Sequence, residues 1–431
     1  MARLDEVKQH AHRLFAKGEA AYCLRLCDAI VAMAPHDFES RLKVGDCLAA
    51  LGQPQLAASV YRAVGWYTLR AGRPLATIVA ARVLESLSVE ADDLLVAFVV
   101  QYGSESELLG KLAARLSPPG GDTEIAAPNL HEPPAPGFLE AAAHRAEHCL
   151  DDFDDYPDAV HSIPLLSQLS ESALRKVLAT LVIKRLPDGA AVIRQGEPGQ
   201  SFFFVASGKV RVTAITGGVE TELAQLGEGA LFGEMALLSA RPRSASVQVV
   251  GEADLLEVTR ESLATLSGEL EQVAVALHAF TRDRLLKNLM ATHPLFRPFS
   301  RIQRRDLLRR FTSHDVGPGT DIIHEGDEGR GLFVVLSGEV DVQKGDTPLA
   351  TLRAGDVFGE MALIRGGETS ATVTASAQST VLFLARENVS RIVSGVPEIR
   401  HYLESLADDR ELDTQIAMQG ELEADDVLIL I

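Results

Sequence analysis

Apolar residues recur at helical spacing over roughly the first hundred positions, and the pattern repeats with a period of 34. Leu14-Phe15-Ala16-Lys17-Gly18 returns as Leu48-Ala49-Ala50-Leu51-Gly52, and Cys23, Cys27 and Ile30 return as Ala57, Tyr61 and Val64. Pro35 stands where one helix pair ends, and a further pair is predicted from Pro54 through Leu87 to about Leu116. From Ser117 to about Pro157 the periodicity gives way to Pro, Gly, Ala and acidic residues, including Pro118-Pro119-Gly120-Gly121 and Pro133-Pro134-Ala135-Pro136. That composition predicts a linker, with a short helix inside it over Phe138–Leu150. Beyond it the period falls to two. Lys209-Val210-Arg211-Val212 and Glu339-Val340-Asp341-Val342 alternate as half-buried strands do, with flanking helices predicted over Ser167–Ile183 and Glu261–Met290.

One stretch among the strands carries chemistry. Phe232-Gly233-Glu234-Met235-Ala236-Leu237, followed by Pro242-Arg243-Ser244-Ala245-Ser246-Val247, sets an acidic side chain and a guanidinium among small residues. A carboxylate at Glu234 accepts from sugar hydroxyls, and the planar fork of Arg243 matches a phosphate. Small neighbours let backbone N–H groups approach, and a helical turn opening near Met235 adds amide donors.

This spelling resembles the phosphate-binding cassette of the cyclic nucleotide-binding domain family, found in protein kinase A regulatory subunits, cyclic-nucleotide-gated channels and the catabolite activator protein. Gly189 to Glu197 and the strand and turn Phe203 to Val210 belong to the same resemblance. It implies that Glu234 holds the ribose and Arg243 the cyclic phosphate. Phe232 and Gly233 frame the site, and Met235, Ala236, Ser244 and Ala245 supply backbone or hydroxyl contacts. The pattern returns some 130 positions on, with Gly326, Gly338 and Phe358-Gly359-Glu360-Met361-Ala362-Leu363-Ile364. There Thr369 stands where Arg243 stood, beside an acidic Glu368, so the second cassette reads as degenerate. Gly359, Glu360, Met361, Ala362, Thr369 and Ser370 form at most a weak second site, unless Arg365 reaches into it.

The resemblance implies a multidomain α+β chain: an N-terminal α-helical repeat region, then two β-roll (double-stranded β-helix, jelly-roll-like) domains with flanking helices. The expected divisions are 1–116 helical repeats, 117–157 linker, 158–290 first roll, 291–410 second roll and 411–431 an acidic and apolar tail. The period of 34 is similar to that of tetratricopeptide repeats, and a generic helical bundle is the alternative; either exposes a face for a partner protein. In the family the exit helix moves over an occupied pocket, which assigns signalling to Glu261–Met290, with Phe280 or a neighbour covering the base.

Composition narrows the rest. The formal net charge of −19 argues against nucleic acid as partner, and about forty residues after the second roll are too few for a helix-turn-helix domain. No apolar run is long enough for membrane insertion, and a polar helix at the N-terminus reads as no signal peptide, which predicts a cytoplasmic protein. The four cysteines, Cys23, Cys27, Cys47 and Cys149, lack metal-ligand spacing, and Cys23 with Cys27 reads as core. Metal binding by His144, His148 and Cys149 is disfavoured for want of a full ligand set. The linker has no Arg-Arg-x-Ser/Ala sequence, which disfavours kinase inhibition of the protein kinase A type.

No nucleophile, base or metal cluster accompanies either cassette, so no enzyme and no cofactor is expected. Ser244 after the arginine leaves cyclic AMP and cyclic GMP both open, with cyclic AMP preferred. The tail, Glu421 to Ile431, reads either as a docking peptide or as a segment packed on the second roll. The expected function is a cyclic-nucleotide-responsive signalling adaptor, with a constitutive interaction scaffold as the alternative. Ala, Leu and Arg usage suggests a bacterial source.

Overall fold

The structure is a computed structural model that describes residues 2–110, 115–131, 135–148, 159–216, 218–235, 242–266 and 270–428. It divides into two compact units, Met1–His278 and Ala279–Ile431.

The first unit opens with α1 (Leu4–Ala16), α2 (Ala20–Met33), α3 (Phe38–Ala50), α4 (Pro54–Arg70), α5 (Pro74–Ser86) and α6 (Asp92–Tyr102), each packed on the next except α6 against α5 and α4 together. Glycines set how closely these helices pack. A Cβ on Gly45 would lie 2.7 Å from the Tyr61 ring, and one on Gly65 would lie 2.9 Å from Leu94. Cys23, Cys27 and Cys47 are free and buried in this core, with Cys23 and Cys27 sulfurs 3.9 Å apart. Cys149 lies outside the described residues.

The segment expected to be a linker contains the short helix expected inside it, but it is packed on the helical region rather than free of it. Strand β2 (Glu124–Ile125) pairs with β1 (Ala2–Arg3), and α7 (Phe138–Glu147) packs against α2, α3 and α4 through buried Ala142, Ala143 and Ala146. Arg41, 1% exposed, explains the docking. Its guanidinium donates to the carbonyls of Arg145 (2.9 Å), Ala146 (2.7 Å) and His148 (3.2 Å), acceptors that the end of a helix leaves without an internal partner. His144 and His148 stack on each other, and no cluster of three metal-ligating side chains exists among the described residues.

Helix α8 (Glu171–Thr180), capped by Ser170, leads into the first roll; it is shorter than the helix predicted over Ser167–Ile183 because β3 begins at Val182. Strands β3 (Val182–Leu186), β4 (Ala191–Ile193), β5 (Ser201–Thr216), β6 (Val219–Gly227), β7 (Leu231–Phe232) and β8 (Ser246–Thr259) form one antiparallel sheet in the order β3-β8-β5-β6, with β4 on β8 and β7 on β5. The long β5 and β8 turn the sheet's corner at Gly208, whose φ is +77° and whose missing Cβ would fall 2.0 Å from the Glu252 carbonyl oxygen. Phe203, Val205, Val210, Phe232, Val249 and Leu255 fill the roll. The exit helix is two helices, Arg260–Ala264 capped by Thr259 and then Leu270–Thr292, rather than one continuous helix.

In the second unit, β9 (Thr312–Val316), β10 (Asp321–Ile323), β11 (Gly331–Ser337), β12 (Glu339–Lys344), β13 (Thr347–Arg353), β14 (Val357–Phe358), β15 (Thr372–Ala375) and β16 (Ser379–Ala385) form two four-stranded sheets, β10-β15-β12-β13 and β14-β11-β16-β9. Gly338 marks the corresponding corner at φ +91°. The helix Pro397–Leu428 seats Ile399 and Leu403 in the core of this roll. The boundary expected between 410 and 411 therefore falls inside a helix, because the apolar spacing that anchors the helix begins well before the acidic residues. Ile429 to Ile431 lie outside the described residues. No helix among the described residues is long and apolar enough to cross a membrane. The chain is thus α+β in several parts, a helical region followed by two rolls with flanking helices.

Candidate functional site

In the first roll, β7 brings Phe232 onto Phe203, the rings stacked with centroids 5.3 Å apart, and the chain then turns at Gly233 with φ +86°. A side chain on Gly233 would come within 2.8 Å of the Arg243 guanidinium, so the glycine keeps that space for the arginine. Glu234, 1% exposed, and the half-buried Met235 open a helical turn. Ala236 lies outside the described residues.

Arg243 reaches the same place from the other side. Its backbone N–H donates to Glu197 O and its carbonyl accepts from Gly196 N, both at 2.8 Å, which fixes the loop before β8 against the turn after β4. The guanidinium, 8% exposed, donates to Gly233 O (2.6 Å), Ser201 O (2.8 Å) and Ser201 Oγ (3.4 Å). These are neutral acceptors, so a buried positive charge is oriented but not cancelled by them. Burial pulls Arg243 below the ordinary arginine value, against the carboxylates of Glu234, Glu257 and Glu197, which favour the charged form. A guanidinium has five N–H donors, which leaves donors for an incoming anion. Ser244 is exposed and Ala245 half-buried at the rim.

The second roll repeats the frame. Phe358 stacks on Phe333 at 4.9 Å, Gly359 turns at φ +81°, and Glu360, 1% exposed, starts the helix Glu360–Ile364 with Met361 and Ala362. Thr369 donates its backbone N–H to Asp327 O at 2.8 Å and accepts from Gly326 N at 2.9 Å, the same register that Arg243 occupies. Its hydroxyl turns inward to the carbonyls of His324 and Asp327. Ser370 Oγ meets Met361 Sδ at 3.5 Å.

Two cavities flank this frame. One of about 100 Å³ is lined by Glu360, Met361, Thr369 and Ser370 together with Arg410, Asp413 and Thr414. Another of about 260 Å³ has Asp321, Asp327, Glu328 and Arg330 in its lining, so carboxylates outnumber guanidinium there. Arg365 is absent from both linings. It pairs with Asp408 and with Glu411 (3.0 Å), so it does not replace the missing cation.

Sequence reasoning missed Arg410, whose Nη1 donates to Glu360 Oε1 at 2.8 Å. A signal was present: Ile399, Leu403, Leu406 and Arg410 recur at the three- and four-residue steps of a helix face.

The family described as cyclic nucleotide-binding domain matches residues 183–269 and 314–395. The chain carries two cyclic nucleotide-binding domains in tandem. A cAMP-dependent protein kinase regulatory subunit of Yarrowia lipolytica is 32% identical over 243 residues, covering 56% of this chain and 61% of that protein. A cGMP-dependent protein kinase of Toxoplasma gondii is 28% identical over 249 residues, covering 58% of this chain and 24% of that protein. The regulatory domain of Toxoplasma gondii PKA, solved with cAMP, aligns at 25% identity with a TM-score of 0.27, covering 57% of this chain and 92% of that one. The chain thus spans about three fifths of the length of the regulatory subunits it matches, 61% and 60% for two fungal ones. These relatives are eukaryotic and lend no support to a bacterial source.

Proposed function

We propose that this chain is a non-enzymatic, cytoplasmic, cyclic-nucleotide-responsive signalling adaptor. The first domain binds cyclic AMP, or cyclic GMP, with the ribose on Glu234 and the cyclic phosphate on Arg243, and occupancy changes how the helical region engages a partner protein. The observation that carries this reading is Arg243: a buried guanidinium aimed by neutral acceptors beside a buried carboxylate is prepared for an anion bearing a sugar. Regulatory subunits and a cyclic-nucleotide-dependent kinase among the relatives support the ligand class.

Within the first unit the helical region already rests on the first domain. Lys43 pairs with Glu252 (2.8 Å) and Asp46 (3.3 Å), Arg185 pairs with Asp46 and with Asp254 (3.1 Å), and Arg73 pairs with Glu228 (3.3 Å). Burial lowers Lys43, but Asp46 and Glu252 outweigh it and hold the ammonium above the ordinary lysine range. Glu228 lies six residues before Glu234, so this contact supports a route from cassette to helices. The tetratricopeptide-like reading of α1 to α4 belongs to the same proposal, since their start-to-start spacing keeps the period of 34.

Calorimetric titration of the full chain with cyclic AMP and cyclic GMP tests it. Stoichiometry near one, lost in Arg243→Ala, is expected; no heat and no thermal stabilisation with either nucleotide would overturn it. A constitutive scaffold is the second reading, favoured by the second domain alone, where Glu360 is already engaged by Arg410.

A further inference from the structure

Glu360 is as buried as Glu234, yet its partner comes from the protein's own C-terminal helix. Arg410, Asp413 and Thr414, spaced three and four residues apart, place one face of that helix in the wall of the cavity of about 100 Å³ beside Glu360. On the far side of the cassette helix, Arg365 holds Asp408 and Glu411 of the same helix turn. Three ion pairs therefore join the segment from Asp408 to Glu411 to the two ends of Glu360–Arg365.

The helix is rooted differently along its length. Ile399, Leu403 and Ala407 are buried, whereas Leu412 and Ile416 are 57% and 59% exposed. From Asp408 to Ala417 no residue is fully buried, and two of the three ion pairs there are exposed ones, which hold weakly. The buried pair is different, because a carboxylate taken out of water needs a partner. Arg410 supplies it, donating to the carboxylate to which a ligand's hydroxyls would otherwise donate. The segment beyond Ala407 is thus able to leave without disturbing the apolar root.

We propose that the C-terminal helix is the resident occupant of the second domain, Arg410 taking Glu360 in place of a ligand, so that this pocket opens only when the helix beyond Ala407 is displaced. An arginine then meets each cassette at a different point: Arg243 stands at the phosphate position of the first, and Arg410, from the C-terminal helix, lies on the ribose carboxylate of the second. Thr369 removes the anion's partner and Arg410 removes the sugar's. The second domain is held shut by its own chain, independently of whether the first domain proves to be the sensor.

The test uses the full chain with the first site silenced by Arg243→Ala and the second given a phosphate partner by Thr369→Arg. Cyclic AMP should bind this variant at least tenfold more tightly once Arg410→Gln is added, as expected when a competitor is removed. Equal or weaker affinity would overturn the proposal, since Arg410 would then be a bystander or an aid to the ligand. Hydrogen exchange gives a second arm that does not depend on Thr369→Arg binding anything. Glu360→Gln and Arg410→Gln should each speed amide exchange across 408–417, and the double variant should add nothing further. Exchange unchanged in either single variant would overturn the proposal even if no nucleotide binds.

Discussion

In the first domain the carbonyl of Arg243 accepts from Gly196 at 2.8 Å, and in the second the carbonyl of Thr369 accepts from Gly326 at 2.9 Å. Phe203 on Phe232 is matched by Phe333 on Phe358, Gly233 by Gly359, and Gly208 by Gly338. The backbone scaffold has therefore been kept while the chemistry at one position has changed. A guanidinium that lies across Gly233 and Ser201 in the first domain is replaced by a hydroxyl that turns back to its own loop in the second. The scaffold is maintained by apolar stacking and positive-φ corners, neither of which depends on whether a ligand binds. Binding depends on charge placement, and charge can be lost without cost to the fold.

The strongest way to break this comparison is to attack the shared frame. Phe203→Ala and Phe333→Ala remove equivalent stacked rings, and each should cost about 3–5 kcal/mol in its own unit, read by chemical denaturation. Markedly unequal losses would show that the two frames are not equivalent. The difference between the domains is sharpened next by Arg243→Ala, which should weaken cyclic nucleotide binding by roughly ten- to more than a hundredfold. Thr369→Ala should leave that affinity unchanged in the same calorimetric titration. A smaller effect is expected where only the first unit carries a helical region. Lys43→Gln should lower the stability of that unit by about 1 kcal/mol, since a half-buried pair contributes modestly and its loss leaves Glu252 with weaker compensation.

The smallest effect concerns pH. His293, in the second unit, accepts from Leu295 N at 3.1 Å, and burial depresses it below the ordinary histidine value, against the backbone at Gly355 and the charge of Asp356. A depressed folded value means that the unfolded chain takes up the proton first. Stability from the neutral imidazole is therefore full above about pH 6.5 and is lost as pH falls through the folded value. The melting temperature of the second unit should drop on acidification from pH 7 to 5, by less in His293→Gln; an identical drop in both would rule out this histidine as a source.

Much of the architecture was legible before any coordinates. The change from helical period to alternation separated the helices from the strands, and the cassette spelling identified the domain type. The linker was misread because Pro and Gly at its ends hid the role of Ala142, Ala143 and Ala146 between them. Three alanines carry little apolar signal, and only the carbonyl-capping contact of Arg41, about a hundred residues away in sequence, shows why they are buried. The division expected at 410 falls inside a helix for a similar reason: the acidic and apolar residues from 411 on read as a tail, although the helix Pro397–Leu428 runs through them.

The sequence by itself determined what is local or periodic: which segments are helices or strands, where positive-φ glycines turn the sheet, and which cassette retains a guanidinium. These follow from backbone sterics and from side-chain type at fixed spacing. Only the tertiary structure decided which charges meet. Arg365 and Arg410 are indistinguishable as residue types, and the sequence does not say which one meets the cassette carboxylate; folding turned Arg365 out to Asp408 and Glu411 and laid Arg410 on Glu360. The physical reason is that an ion pair is set by distance and burial, and both come from how a distant helix docks.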